Sequence, residues 1–164
     1  MKQMQWRMDS RIGPVYLAAS EKGLQKVSLK KQGGSVTTSP MAKSLAGAGP
    51  ETRILVKAAS QLKEFLDGKR KKFDLPLDAK GTVFQKRVWN TLQKIPYGQT
   101  CSYQDIARRI KNPKAVRAVG SANGANPLCI VVPCHRVIGA DGSIGGYSGG
   151  LKLKRELLGL ERKG

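Results

Sequence analysis

The run Ile130-Val131-Val132-Pro133-Cys134-His135-Arg136-Val137 sets a thiol beside the only imidazole in the chain. A cysteine is a strong nucleophile as its thiolate, and a nearby imidazole or cation is a standard way to populate that form. Adjacent residues need not point the same way, so adjacency alone only nominates the pair. A second segment sharpens it. Four of the six residues in Gly145-Gly146-Tyr147-Ser148-Gly149-Gly150 are glycine, and backbone without Cβ atoms lets its N–H groups approach a ligand. Before Cys134, the apolar residues 130–132 predict a buried strand that Pro133 stops. Cys129 falls on that strand and Cys101 in a loop. Both read as packing residues, since free cysteine is usually buried and inert.

The background is strongly basic. At 164 residues and a formal charge of +19, the chain has room for one medium domain or two small ones. Residues 1–80 hold 16 basic and 7 acidic side chains, and residues 81–164 hold 14 and 4, giving +9 and +10. The excess is not a basic tail. A globular chain this basic most often meets a polyanion, with nucleic acid first among them; solvated lysine faces are the plainer reading. Met1 leads into polar sequence, no apolar run is long enough to span a membrane, and the cysteine count is odd. These features predict a reduced, cytoplasmic setting without disulfides. One histidine and no paired-cysteine spacing predict no zinc or other metal.

The elements that must carry the Cys-His segment follow from pattern. Short strands are expected over residues 15–19 and 24–29, after the turn-like Ser10-Arg11-Ile12-Gly13-Pro14. Residues 31–50, rich in Gly, Ser, Thr and Pro, read as a long loop. A helix is expected over residues 51–67, with Ile54, Leu55, Ala58, Leu62, Phe65 and Leu66 on one stripe and Gly68 ending it. Lys69 to Lys72 reads as a solvated turn, and residues 73–75 as a short strand. Thr82 with Gln85 makes a capping box for a helix bearing Phe84, Val88, Trp89 and Leu92. Ser102 with Asp105 caps a second helix, over residues 103–110. Pro113 opens a third, running to about residue 123. Two short helices joined by a tight turn on a basic chain suggest a helix-turn-helix. The second of them is mostly small residues around Arg117. That suits either close approach to a groove or close packing on another helix. A last helix is expected over residues 152–160, and Trp6 and Trp89 read as core.

Pro133-Cys134-His135-Arg136-Val137, the Tyr147-Ser148-Gly149-Gly150 loop, Asn112-Pro113-Lys114-Ala115-Val116-Arg117-Ala118-Val119-Gly120, Ile95-Pro96-Tyr97-Gly98 and Ser102-Tyr103 together resemble the O6-alkylguanine-DNA alkyltransferases, also called methylated-DNA–protein-cysteine methyltransferases. The likeness covers nearly all of residues 82–161 and, more loosely, residues 13–23. It is nearest to the bacterial single-function branch. The resemblance implies an α/β N-terminal domain over residues 1–80, RNase-H-like, with a small antiparallel sheet and a helix. It implies a mostly α winged helix-turn-helix domain over residues 81–164 that enters the minor groove. A helix of small residues suits that narrow groove.

The resemblance also implies roles. Cys134 takes the alkyl group irreversibly, once per protein. His135 draws the thiol proton through a water, and Glu161 orients the imidazole. Asn126 is a hinge, Lys154 is a cation near the sulfur, and Tyr103 donates to the flipped base. Arg117 fills the space the base leaves, with Ser121, Ala122, Asn123 and Gly124 in the DNA-binding stretch. Val137, Tyr147 and Ser148 form the base pocket, in which the backbone carbonyls of Cys134 and Val137 receive the exocyclic amine. No cofactor, metal, membrane or protein partner is implied. The implied partner is double-stranded DNA containing O6-alkylguanine, with O4-alkylthymine a further possible substrate, and the implied state is a monomer.

Three other classes compete. A non-catalytic lesion-binding protein of the same fold would lack the reactive cysteine, which is present here. A Cys-His hydrolase gives no reason for the Arg117 helix or the charge. A plain helix-turn-helix regulator leaves the Cys134 segment unexplained.

Overall fold

Two strands at the start of the chain form a hairpin because Arg11-Ile12 can turn tightly between them. The structure, a computed structural model, describes residues 5–31, 33, 36–38 and 49–163. The chain divides into two compact units, residues 1–80 and 81–164. In the first, β1 (Gln5–Ser10) and β2 (Gly13–Ala19) pair antiparallel, with Ser10 opposite Gly13. Gly13 has φ +102°, a conformation that side chains with a Cβ rarely adopt. Ser10 Oγ donates to the Gly13 carbonyl across the turn at 2.7 Å. β3 (Leu24–Ser28) joins β2 antiparallel with a register shift between Ala18 and Ala19; Val15 and Leu17 alternate into the core, and Leu24 and Val27 are buried on β3. Gly23 precedes β3 where a Cβ would come within 2.7 Å of the Pro76 carbonyl oxygen. The Leu24 N–H donates to that same oxygen at 2.8 Å, so glycine permits the close crossing.

Two expectations for this unit need correction. Residues 31–50 are not all loop: β4 (Val36–Thr38) pairs parallel to β1 and completes the order β3-β2-β1-β4. Three residues are too few to leave a period-2 signal. The rest of that expected loop, residues 32, 34–35 and 39–48, lies outside the described residues. Residues 73–75 form no strand either. The side-chain amide of buried Gln61 takes the place of a strand neighbour: Asp74 N–H donates to its Oε1 at 2.8 Å and its Nε2 donates to the Asp74 carbonyl at 3.0 Å. Gln61 belongs to α1 (Pro50–Leu66), which packs on the sheet through Leu55, Ala58, Leu62 and Phe65.

The second unit is mostly helical. Both capping boxes form. Thr82 opens α2 (Val83–Leu92), and Ser102 opens α3 (Tyr103–Arg109). α3 stops at Lys111, whose φ of +60° turns the chain out of the helix. α4 (Val116–Gly124) starts later than Pro113. The Ala115 N–H donates to the Asn112 carbonyl at 3.0 Å, closing a β-turn with Pro113 at its second position, where proline's fixed φ belongs. α2 holds both helices of the pair. Arg87 Nη2 donates to the Ile110 carbonyl at 2.6 Å, and the buried Trp89 indole to the Ala122 carbonyl at 2.8 Å. Parallel pairing of β5 (Cys101–Ser102) with β6 (Val137–Ile138) fixes the start of α3 beside the segment that follows Cys134. α5 (Leu151–Lys163) closes the unit, and among the described residues no helix is long and apolar enough to cross a membrane.

Candidate active site

Cys134 opens a single 3₁₀ turn, Cys134–Arg136. The segment before it is not the strand that its apolar residues suggest. The Val132 N–H donates to the Leu128 carbonyl at 2.9 Å, the Val131 N–H to the Cys129 carbonyl at 2.8 Å, and Ile130 sits at φ +73°. For a β-branched residue that conformation is strained. What holds it is buried Asn126. Its Nδ2 donates to the Val132 carbonyl at 2.9 Å and its Oδ1 accepts the Leu128 N–H at 3.0 Å. An apolar run is buried in a tight turn as readily as in a strand, and periodicity cannot tell the two apart.

Tightening the chain there brings Cys129 near Cys134. Cys129 Sγ lies 3.4 Å from Ser148 Oγ. Cys129, read from sequence as packing, is thus part of the site. The neighbouring Cys134 thiol, outweighing burial and aided by Ser148 and Tyr147, draws Cys129 down to about 6. The same proximity, burial and charge on Cys129 push Cys134 well up, against Asn126 and Lys154. The two sulfurs titrate as a pair: the first proton leaves easily and the second with difficulty.

Behind Cys134 lies a buried charge cluster. Glu161 on α5 accepts from His135 Nε2, from Arg136 Nε at 2.7 Å and Nη2 at 3.1 Å, and from the Gly98 N–H at 3.0 Å. Burial raises the Glu161 pKa, but the hydrogen bonds from His135 and Arg136 outweigh it and bring the carboxyl down to about 2. Arg136, named in the sequence only as a motif member, is the residue that neutralises Glu161. It also donates to the Ile95 carbonyl at 2.8 Å and lies over the Tyr97 ring at 5.6 Å. Burial, chiefly, lowers the His135 pKa and keeps the ring neutral. With Nε2–H donated to a carboxylate, Nδ1 carries the lone pair. That atom is buried and has no hydrogen-bond partner among the described residues.

Lys154 is fully buried on α5. Its ammonium donates to the Val137 carbonyl at 2.6 Å and the Gly146 carbonyl at 3.1 Å, so it ties β6 to the glycine loop. Burial lowers its pKa, and Cys134 opposes that. Gly145, at φ +71°, must be glycine because a Cβ would come within 2.7 Å of the Tyr103 hydroxyl. Burial, then the nearby Cys134 charge, raises the Tyr103 pKa, so its hydroxyl stays a donor.

These residues surround a cavity of about 490 Å³. Cys134 and Tyr103 line it, with Gly146, Tyr147 and Ser148 from the glycine loop and Val116, Gly120, Asn123 and Gly124 from one face of α4. Residues 116, 120, 123 and 124 share that face by helical spacing. The small α4 residues therefore open space beside the thiol. Val137, expected in the pocket, is fully buried on β6 and does not line the cavity. Arg117, Ser121 and Gly124 are exposed, whereas Ala122 and Asn123 are buried. Asn123 turns inward and donates to the Cys134 carbonyl at 3.4 Å. Of the expected DNA-binding stretch, Arg117, Ser121 and Gly124 lie on the surface and the side chains of Ala122 and Asn123 do not. Among the described residues no three His, Cys, Asp or Glu side chains gather as a metal site.

Fold and site define a two-unit protein: a sheet-and-helix unit, and a helix-turn-helix unit whose second helix walls a cavity with a buried cysteine in it. Residues 7–79 match the ribonuclease-like domain of 6-O-methylguanine DNA methyltransferase, and residues 83–163 match its DNA binding domain. The chain belongs to the 6-O-methylguanine DNA methyltransferase family. A methylated-DNA–protein-cysteine methyltransferase of Methanosarcina acetivorans is 46% identical over 154 residues, 93% of this chain and 94% of that one. One from Mycolicibacterium paratuberculosis is 47% identical over 156 residues, 95% and 90% of the two chains. The crystal structure of Mycobacterium tuberculosis OGT in complex with DNA superposes with a TM-score of 0.82 at 44% identity, covering 98% of this chain and 93% of that one.

Proposed function

We propose that this protein repairs DNA by direct reversal, as a methylated-DNA–protein-cysteine S-methyltransferase that moves an alkyl group from guanine O6 to its own Cys134. The observation that carries the assignment is Cys134 on the wall of a base-sized cavity with the His135–Glu161 pair directly behind it. Relatives named for that reaction, matched over almost their whole length, support it. The 81–164 unit binds duplex DNA, carrying a formal +10, and performs the transfer. Guanine O6 is stacked inside the duplex, so the nucleotide must be rotated out to reach the sulfur, at a cost of a few kcal/mol. Arg117, exposed on α4, fills the gap it leaves.

In the cavity, Tyr103 donates to the base and Ser148 faces its O6. The Cys134 proton passes to His135 Nδ1 through a water, and the Glu161 carboxylate steadies the resulting imidazolium. The sulfur then attacks the alkyl carbon. A carbon–sulfur bond forms, the carbon–O6 bond breaks, and the departing guanine takes a proton at N3 from Tyr103. The thioether does not hydrolyse, so each protein acts once.

The test is intact mass after incubation with a duplex holding one O6-methylguanine. One methylene gained per protein, on the peptide containing Cys134, is the expected result. Tight binding with no mass gain would make the protein a lesion sensor instead.

Arg117→Ala separates flipping from chemistry. We expect duplex repair to slow about 10- to 100-fold, the loss of a contact worth about 1–3 kcal/mol. Reaction with free O6-alkylguanine, which needs no flipping, should change little. Equal losses on both substrates would remove Arg117 from that role.

A further inference from the structure

The α4 wall of the cavity is apolar except at one residue. The helix lines it with Val116, Gly120, Asn123 and Gly124, and of these only Asn123 has a polar side chain. Asn123 is 4% exposed. Its Nδ2 donates to the Cys134 carbonyl at 3.4 Å. That contact assigns the amide, because the nitrogen faces a carbonyl and the oxygen must face away from it. Oδ1 is buried and has no hydrogen-bond partner among the described residues. An unpaired buried acceptor is destabilising, so native folds keep few of them. The Nδ2 contact is long and the terminal torsion of asparagine is broad, so the amide turns Oδ1 toward the cavity at little cost.

We propose that Asn123 is a specificity-determining residue whose Oδ1 accepts from the exocyclic amine of the flipped guanine, selecting O6-alkylguanine over bases without that amine. The inference rests on the alkyl-transfer function and adds how its site chooses a base. An alkyl group on O6 leaves N1 without a proton, so the amine is the only N–H donor on the base. It carries two hydrogens. One suits the Cys134 carbonyl, and Asn123 lies against that carbonyl, where the second can reach Oδ1. The Val137 carbonyl, also expected to receive the amine, already accepts from Lys154 Nζ at 2.6 Å, and Val137 does not line the cavity. O4-alkylthymine has no N–H, since N1 carries the sugar and N3 has no proton. With thymine in the cavity, Asn123 Oδ1 stays unpaired. A site built around a hydrogen bond rejects the analogue that cannot make it.

The experiment measures single-turnover transfer by the full-length protein from duplexes holding O6-methylguanine or O6-methylhypoxanthine, two bases that differ only in the amine. The wild type is expected to favour O6-methylguanine about 10- to 100-fold, the effect of leaving one buried acceptor unpaired. Asn123→Leu, of similar size but without an acceptor, should cut that ratio about tenfold, the Cys134 carbonyl accounting for the remainder. Asn123→Ala cannot overfill the wall and should cut it as far. In both variants O4-methylthymine should gain on O6-methylguanine by a similar factor. Equal transfer from the two purines by the wild type would overturn the proposal. So would variants that slow both purines alike and leave the ratio intact, since Asn123 would then serve packing alone. Equilibrium binding by Cys134→Ala, which keeps the carbonyl of residue 134, should rank the two duplexes in the same order, and adding Asn123→Leu should weaken that ranking. If binding behaves so while the wild type transfers no methyl group, the alkyl-transfer function fails and Asn123 still reads the amine.

Discussion

Cys134→Ala is expected to abolish alkyl transfer while leaving binding to a duplex with one O6-methylguanine within about twofold. The thiol contributes the new bond and nothing else in the cavity replaces it, so the loss should reach background. Removing one sulfur from a wall of the cavity leaves Arg117, Ser121 and the basic surface of the second unit in place. Binding energy drawn from those charges comes largely from released counterions, so both proteins should lose affinity together, and steeply, as salt rises. The neighbouring sulfur makes this variant informative. In Cys134→Ala, Cys129 loses the neighbouring thiol that most strongly lowers its pKa, and burial is left to raise it. It should therefore gain no methyl. Mass spectrometry of the variant after incubation with the lesion duplex checks both points. A methylated Cys129 would show that either sulfur can reach the base, and unchanged transfer would falsify the assignment of Cys134.

The difference between what the sequence shows and what the structure adds is physical. Capping boxes are local, so Thr82 with Gln85 and Ser102 with Asp105 are legible at once and both form. The stripe of α1 and the core positions of Trp6 and Trp89 are equally legible, because they depend on periodicity and size. The Cys-His adjacency and the glycine loop are legible as chemistry. What could not be read was anything decided by a side chain filling a backbone's role. Gln61 stands in for a strand beside Asp74, and Asn126 bends residues 128–132 out of a strand. Both amides sit far from any pattern that would announce them. Cys129 and Arg136 were visible residues whose partners were not. One nears Cys134 only through that bend, and the other meets Glu161 only through the packing of α5. A signal for Arg136 existed: a buried acid usually needs a cation, and Arg136 lies in the same short motif as the histidine it shares Glu161 with.

Glu161→Gln is expected to cost about 3–5 kcal/mol of stability and also to slow transfer, by two separable routes. The stability route is charge. The substitution keeps the shape but leaves the Arg136 guanidinium buried without its carboxylate, and breaking such a pair is strongly destabilising. The same carboxyl sets an acid limit. Its folded pKa of about 2 lies below the ordinary 4.5, so its contribution, about 3 kcal/mol, is present above pH 4.5 and is lost as pH falls toward 2. The lowered His135 pKa acts in the same direction at higher pH. A folded-state value below 6.5 gives stability that is full above 6.5 and is lost as pH falls through the folded value. Denaturant unfolding between pH 7 and pH 2 should therefore show the wild type losing stability in two stages, with the lower stage smaller in Glu161→Gln, where Asp78, Asp105 and Asp141, all with lowered pKa values, still contribute to it. The chemical route runs through His135. Without the carboxylate its imidazolium is less favoured, so the base that takes the Cys134 proton weakens. Adding Arg136→Met to Glu161→Gln distinguishes the two routes, since it removes the stranded cation without restoring the carboxylate. Stability should recover by at least half while transfer stays slow and its pH profile stays displaced. If the double variant recovers both together, Glu161 acts only by holding the fold.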